Sequence, residues 1–282
     1  MMEHFFSVSL GGVSLPCAAR YDQTEAYFRP LQAEASSSGC SPVRISETEW
    51  LEYLDEGLVP CAHTEYSLLT PCFADRLMQQ GSAIVHAVAL RWRDSAYLLC
   101  APSGVGKSTQ TRFLQELRPG EFSVICGDRP VLQFCYKDVC RDKHCLSVGE
   151  QCSSLHTVSN SELSEDTASV ATGKRSILVH PSPWNGKENW HGADAAPLAG
   201  VILLSRGSED RLFSLSAKEA GIPLFMQFIY HATTAELVKA AASFTTMILE
   251  NVPAWRLESN RPPASTELLL NAVFSESDHG LK

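Results

Sequence analysis

The residues from Ala101 to Thr109, reading Ala-Pro-Ser103-Gly104-Val105-Gly106-Lys107-Ser108-Thr109, carry the densest chemistry in this 282-residue chain. They match the phosphate-binding pattern G-x-x-x-x-G-K-[ST] at every fixed position except the first, where Ala101 stands for glycine. The backbone N–H groups of such a loop converge on one concavity and grip phosphate oxygens, a path that Gly104 and Gly106 permit. Lys107 would bring a point charge to the β- and γ-phosphates, and Ser108 a hydroxyl to Mg²⁺. A helix opening at Lys107 adds the positive end of its dipole. The pattern predicts that ATP and Mg²⁺ bind along Ser103–Thr109.

Three further residues complete a candidate site. Asp128 ends an apolar strand in Cys126-Gly127-Asp128-Arg129, where a carboxylate beside the phosphate loop can hold Mg²⁺ or take a proton. A Gly-Asp turn without function is the competing explanation. His86 lies mid-strand, 21 positions before Lys107, and taken alone reads as a core histidine. Lys187 falls in His180-Pro-Ser-Pro-Trp-Asn-Gly-Lys-Glu188, a stretch stiffened by two prolines, and read alone it is a solvated lysine in a turn. If Ser182–Glu188 lines the nucleotide pocket, Lys187 can steady the transferring phosphoryl or an acidic acceptor.

The elements that must position these residues show in the hydrophobic pattern. Residues 5–20 alternate around Gly11-Gly12 as a hairpin does. Ser46 and Glu49 form a capping box, with Ile45 and Trp50 placed as a hydrophobic staple. A second helix is predicted between Thr70-Pro71 and Gly81. Residues 1–80 thus read as a small α+β layer without recognisable chemistry, and residues 81–282 as the nucleotide-binding domain. There SAIVHAVAL (82–90) and AYLLC (96–100) read as strands joined by a polar turn, followed by the loop and a helix from Lys107 to about Leu117. FSVIC (122–126) and VLQFCY (131–136) follow too closely for helical crossovers, so hairpins must be mixed into the sheet. SILVH (176–180), GVILLS (200–205) and AWRLES (254–259) are further strands, and residues 153–172 a polar surface loop. The last third reads as helical, with Thr233 and Glu236 capping one helix and Ser265 capping another from Glu267 to about Phe274.

Composition narrows the function classes. A net charge of −9 argues against nucleic acid or anionic lipid as the main partner. No apolar run reaches the ~18–20 residues of a membrane helix, and the start has no basic leader. A cytoplasmic protein is expected. Ten cysteines are then reduced thiols. Cys135, Cys140, Cys145 and Cys152, with His144 among them, lack zinc-ligand spacing and read as hairpin residues. The purified protein is expected to hold no stoichiometric zinc and no obligatory disulfide.

In order along the chain, IVHAVAL, APSGVGKST, VICGDRP, SPWNGKE and PLAGVILLSRG resemble the HPr kinase/phosphorylase-like group, related in its core to phosphoenolpyruvate carboxykinases. The resemblance covers roughly residues 80–275. It implies a mixed, largely antiparallel α/β nucleotide-binding sheet with a P-loop and packed helices. It also implies an ATP-dependent kinase acting on a serine-like hydroxyl of a peptide, carrier protein or small molecule. By the resemblance, His86 stands beside the acidic site, with Asp128 on the acidic motif. True HPr kinases carry two adjacent aspartates there and a longer downstream signature. This chain has Gly127-Asp128 and lacks that signature, which argues against HPr as substrate. The alternative is a non-catalytic nucleotide-binding accessory protein of a peptide-modification pathway. A small GTPase is disfavoured because Asn-Lys-x-Asp is absent.

Overall fold

Gly11 and Gly12, at φ 57° and 77°, close a hairpin of β1 (His4–Leu10) and β2 (Val13–Ala19). In the computed structural model, which describes residues 3–33, 40–135, 176–192 and 194–275, three helices pack on this hairpin. They are α1 (Asp22–Phe28), α2 (Glu47–Asp55) and α3 (Ala62–Met78). The Ser46/Glu49 capping box opens α2, and the staple pair Ile45 and Trp50 is buried. The predicted second helix begins eight residues before Thr70, because Pro71 does not start α3 but sits inside it. Proline has no N–H to give the carbonyl of Ser67. The Thr70 hydroxyl donates to that carbonyl instead, at 2.8 Å, so the helix runs through.

The remaining strands are β3 (Ser82–Val85), β4 (Ala87–Trp92), β5 (Ser95–Cys100), β6 (Phe122–Cys126), β7 (Val131–Cys135), β8 (Ser176–His180), β9 (Ala196–Arg206), β10 (Arg211–Leu215), β11 (Phe228–Ile229) and β12 (Ala254–Ser259). These ten form one sheet in the order β11-β3-β7-β8-β9-β5-β4-β6, with β12 also on β9 and β10 on β12. Among the described residues only β5 with β9 and β9 with β12 run parallel; the other strand pairs are antiparallel. The sheet is therefore mixed and mostly antiparallel, as the close strand spacing requires.

One expected strand is two. The run 82–90 breaks at His86, whose N–H donates to the Gln227 carbonyl at 2.8 Å at the end of the β3–β11 pairing. Before the break β3 pairs with β7; after it β4 pairs with β5 and β6. A residue at such a switch is released from the pleat, which lets its side chain leave the core.

Alternation along β4 explains the layers. Ala87 and Ala89 face a cluster with Ala220 and Leu224 of α5 (Ala217–Phe225) and Leu237 and Phe244 of α6 (Ala235–Asn251). Val88 and Leu90 face the other way, onto Leu114 of α4 (Lys107–Leu117) and Leu269 of α7 (Pro262–Ala272). A third cluster joins Phe28, Phe73 and the hairpin to Ile84, Val131 and Trp184 of the sheet region.

Other helix starts shift for local reasons. Thr234, not Thr233, caps α6 by accepting from the Leu237 N–H. Pro262-Pro263 open α7, so Ser265 lies within it and does not cap it. The short elements α1, β10, α5 and β11 carry too few periodic residues to be anticipated, though Ser216 and Glu219 form a second capping box at α5. The last third is accordingly a mixture of strands and helices. Cys140, His144, Cys145, Cys152 and the loop 153–172 lie outside the described residues; Cys135 closes β7. Among the described residues no helix is long and apolar enough to cross a membrane.

Candidate functional site

The chain leaves β5 at Cys100, turns through residues 101–106 and enters α4 at Lys107. Gly104 and Gly106 take φ 76° and 120°, conformations a side chain rarely adopts, and the turn exists because both are glycine. Ser103 and Gly104 are exposed, while Val105, Gly106 and Ser108 are half-buried. Arg206, the last residue of β9, donates to the Gly104 carbonyl at 2.9 Å and fixes the turn from the side. Inside the first turn of α4, Gln110 donates to Ser259 and Ser265 and accepts from Thr266, tying the helix to β12 and α7.

Lys107 does not reach into solvent. Only 9% exposed, it donates to the Ala101 carbonyl at 2.8 Å and lies 3.0 Å from His86 Nε2. Burial disfavours the ammonium and lowers its pKa, opposed by the charge of Asp128. His86 Nε2 is 3.4 Å from Asp128 Oδ1, and Arg129 Nε is 3.2 Å from Asp128 Oδ2. Burial alone would raise the Asp128 carboxyl. The hydrogen bond to His86 and the charges of Arg129, His86 and Lys107 outweigh it and hold the carboxyl below the usual range. Three residues singled out separately in the sequence thus meet: Lys107, His86 and Asp128.

The Pro-stiffened segment 181–192 packs along the outer edge of β6. Gly127 N–H donates to the Trp190 carbonyl and Gly192 N–H to the Ile125 carbonyl, each at 2.9 Å. Ser182 Oγ donates to the Arg129 carbonyl at 2.6 Å, and the Arg129 N–H donates to the Trp184 carbonyl. A Cβ on Gly127 would lie 2.4 Å from the Asn185 carbonyl oxygen, and one on Gly186 would lie 3.2 Å from Asp128 Cβ. Lys187 is exposed, but its neighbours fix its location: Gly186 abuts Asp128, and Glu188 lies 3.5 Å from Arg112 of α4. The segment is on the same rim as the turn and Asp128.

Residues overlooked in the sequence support this rim from the N-terminal layer. Trp184 Nε1 donates to the Tyr66 carbonyl and Tyr66 OH to the Pro183 carbonyl. Arg129 Nη1 donates to Thr70 Oγ1 at 2.7 Å, the hydroxyl that completes α3 around Pro71. Arg129 stood beside Asp128 in the sequence, whereas Thr70 was read only as a helix start and Tyr66 carried no signal.

Chemically, the turn and the start of α4 offer N–H groups to an anion, and Ser108 and Asp128 each carry the oxygen that a hard cation takes. A cleft of about 330 Å³ opens beside the turn, lined by Val105, Thr109, Arg206, Asn260 and Pro262. A larger one of about 560 Å³ runs along β6 between Arg91, Phe122 and Trp190, and none of His86, Lys107 or Asp128 lines either cleft.

Two measurements check this geometry. Gly127→Ala should destabilise the protein by about 1–3 kcal/mol, because the Asn185 carbonyl must move; unchanged urea unfolding would refute the contact. Asp128 is depressed in the folded state, so its stabilising contribution is complete above the unfolded value near ~3.9 and lost as pH falls through the folded one. Asp128→Asn should flatten this acidic limb of the stability curve and leave the limb above pH ~5 unchanged in slope. No family model matches this chain. No curated protein sequence matches it either.

Proposed function

We propose that the protein is an ATP- and Mg²⁺-binding phosphotransferase, a kinase acting on a hydroxyl of a peptide, carrier protein or small molecule. The observation that carries this is the convergence of a desolvated lysine, a histidine and a carboxylate within hydrogen-bonding distances at the mouth of a glycine turn. Phosphoryl transfer is mostly positioning and charge neutralisation, which such a mouth supplies.

The turn residues Ser103–Gly106 would act as a P-loop, with Lys107, Ser108 and Thr109 at the phosphates. The cleft at Arg206 and Asn260 gives room for the nucleoside. Ser108 and Asp128 are the oxygen ligands for Mg²⁺, which neutralises phosphate charge when bound. Lys107 would exchange the Ala101 carbonyl for a phosphate oxygen. Asp128 or His86 would take the acceptor's proton, and exposed Lys187 would meet an acidic acceptor or the phosphoryl group. A membrane or nucleic acid is not part of this proposal.

A second reading has its own observation. Gly127 is packed so closely under Asn185 that no second carboxylate fits beside Asp128 without moving the segment. A site with one carboxylate suits a nucleotide-binding accessory protein as well as a kinase. Turnover of ATP with and without a candidate acceptor separates the two.

Lys107→Ala should abolish ATP binding while circular dichroism shows the fold retained; equal calorimetric affinity of variant and parent would overturn the nucleotide site. Asp128→Asn should remove Mg²⁺-dependent turnover. His86→Ala should slow transfer by roughly 10²–10⁴-fold and leave ATP affinity intact. Full turnover in both variants would overturn the roles given to Asp128 and His86, and no turnover by the parent with any acceptor would leave the accessory role.

A further inference from the structure

Away from this rim, four side chains from three separate parts of the chain converge. Glu49 comes from α2, Cys72 and Asp75 from one face of α3, and His231 from the residues just after β11. Asp75 grips His231 twice. Its Oδ1 accepts from the backbone N–H at 2.9 Å, and its Oδ2 lies 2.7 Å from Nδ1. The proton of the neutral ring is thereby assigned to Nδ1, and Nε2 is left as the lone-pair nitrogen.

That nitrogen is buried and makes no hydrogen bond. It lies 3.1 Å from Glu49 Oε1, but off the direction an N–H would need. The ligand atoms of Glu49, Cys72 and His231 all fall within 4.8 Å of one another. A lone pair facing a carboxylate oxygen and a thiol is unfavourable unless something positive sits among them. One imidazole nitrogen, one sulfur and one carboxylate oxygen form the borderline donor set that suits Zn²⁺. A carboxylate on the far nitrogen of a ligating histidine is the usual support of such a site.

We propose that Glu49, Cys72 and His231 bind a divalent transition-metal ion of the Zn²⁺ type, with Asp75 as the positioning residue and water in the fourth place. The proposal runs against the expectation of a zinc-free protein drawn from cysteine spacing. Its ligands lie 23 and 159 residues apart, so no Cys-x-x-Cys motif announces them. Binding would clamp α2 and α3 to the connection between β11 and α6. Two residues before β11 ends, at Gln227, that same segment accepts the His86 N–H.

The test uses the full chain stripped of metal with a chelator and titrated with Zn²⁺ alone, then with Co²⁺ followed by absorption. One equivalent should bind, with a thiolate-to-cobalt band that Cys72→Ser abolishes. Asp75→Asn should weaken Zn²⁺ binding by roughly 10–100-fold. Zn²⁺ should raise the melting temperature of the parent and not of His231→Gln, whose own folding is checked by circular dichroism. Cys72→Ser is close in size, so the cobalt band remains readable if His231→Gln fails to fold. No binding overturns the proposal and leaves His231 as a contact between Asp75 and Glu49. Equal binding by the parent and Cys72→Ser also overturns it, and assigns the metal to other cysteines. None of these readouts depends on nucleotide, so the phosphotransferase proposal stands or falls separately.

Discussion

A lysine only 9% exposed, Lys107, is the constraint around which the rim is organised. Desolvating a cation is costly unless acceptors surround it. Lys107 is surrounded by the Ala101 carbonyl, His86 and, further out, the Asp128 carboxylate. Each of these needs a particular backbone. The Ala101 carbonyl turns inward only if the chain winds through Gly104 and Gly106 at positive φ. His86 reaches inward only because the strand breaks there, and Asp128 only because β6 ends there.

The second dependence is on the segment 181–192. It supplies hydrogen-bond partners that β6 would otherwise lack at the sheet edge, and it covers Asp128 from above. Trp184 is 3% exposed and packs against Phe28 and Phe73, so the rim shares its core with the hairpin layer. Residues 1–80 carry no chemistry of their own at the rim, yet Thr70 and Tyr66 hold Arg129 and Trp184 in place. A boundary at residue 80 follows the change of sequence pattern; the packing runs across it.

Features encoded locally were legible. The turn at residues 101–106, the capping box of α2 and the hairpin at Gly11 each rest on residue types within a few positions of one another. Lys107 and Asp128 were legible as neighbours at strand ends; His86, mid-strand and on its own a core histidine, was placed beside them by the resemblance alone. The break at His86 was not legible, because Ser82–Leu90 has the unbroken apolar pattern of one strand and only pairing with two different partners divides it. The start of α3 was hidden for a related reason. Pro71 signals a helix beginning, and the hydroxyl of Thr70 that lets the helix pass through it gives no sign in the hydrophobic pattern. The fit of Gly127 under Asn185 joins residues 58 positions apart and has no local trace.

One atom of the site is asked to do two things. His86 Nε2 lies 3.0 Å from the Lys107 nitrogen and 3.4 Å from an Asp128 oxygen. A neutral imidazole nitrogen either accepts a hydrogen bond or carries a proton to donate. If Nε2 accepts from the ammonium, it presents a lone pair to the Asp128 carboxylate, and that contact is repulsive. If Nε2–H donates to Asp128, the ammonium must aim its protons elsewhere. The two arrangements compete: the 3.0 Å distance to lysine favours the first, and the depressed Asp128 carboxyl favours the second. On the proposed function, a phosphate that draws Lys107 away removes the competitor for Nε2. The same lone pair is then free to accept a proton beside a carboxylate that stabilises the resulting imidazolium. Arrival of the phosphate would thus convert His86 from a lysine acceptor into a base, with the single carboxylate of Asp128 sufficing beside it.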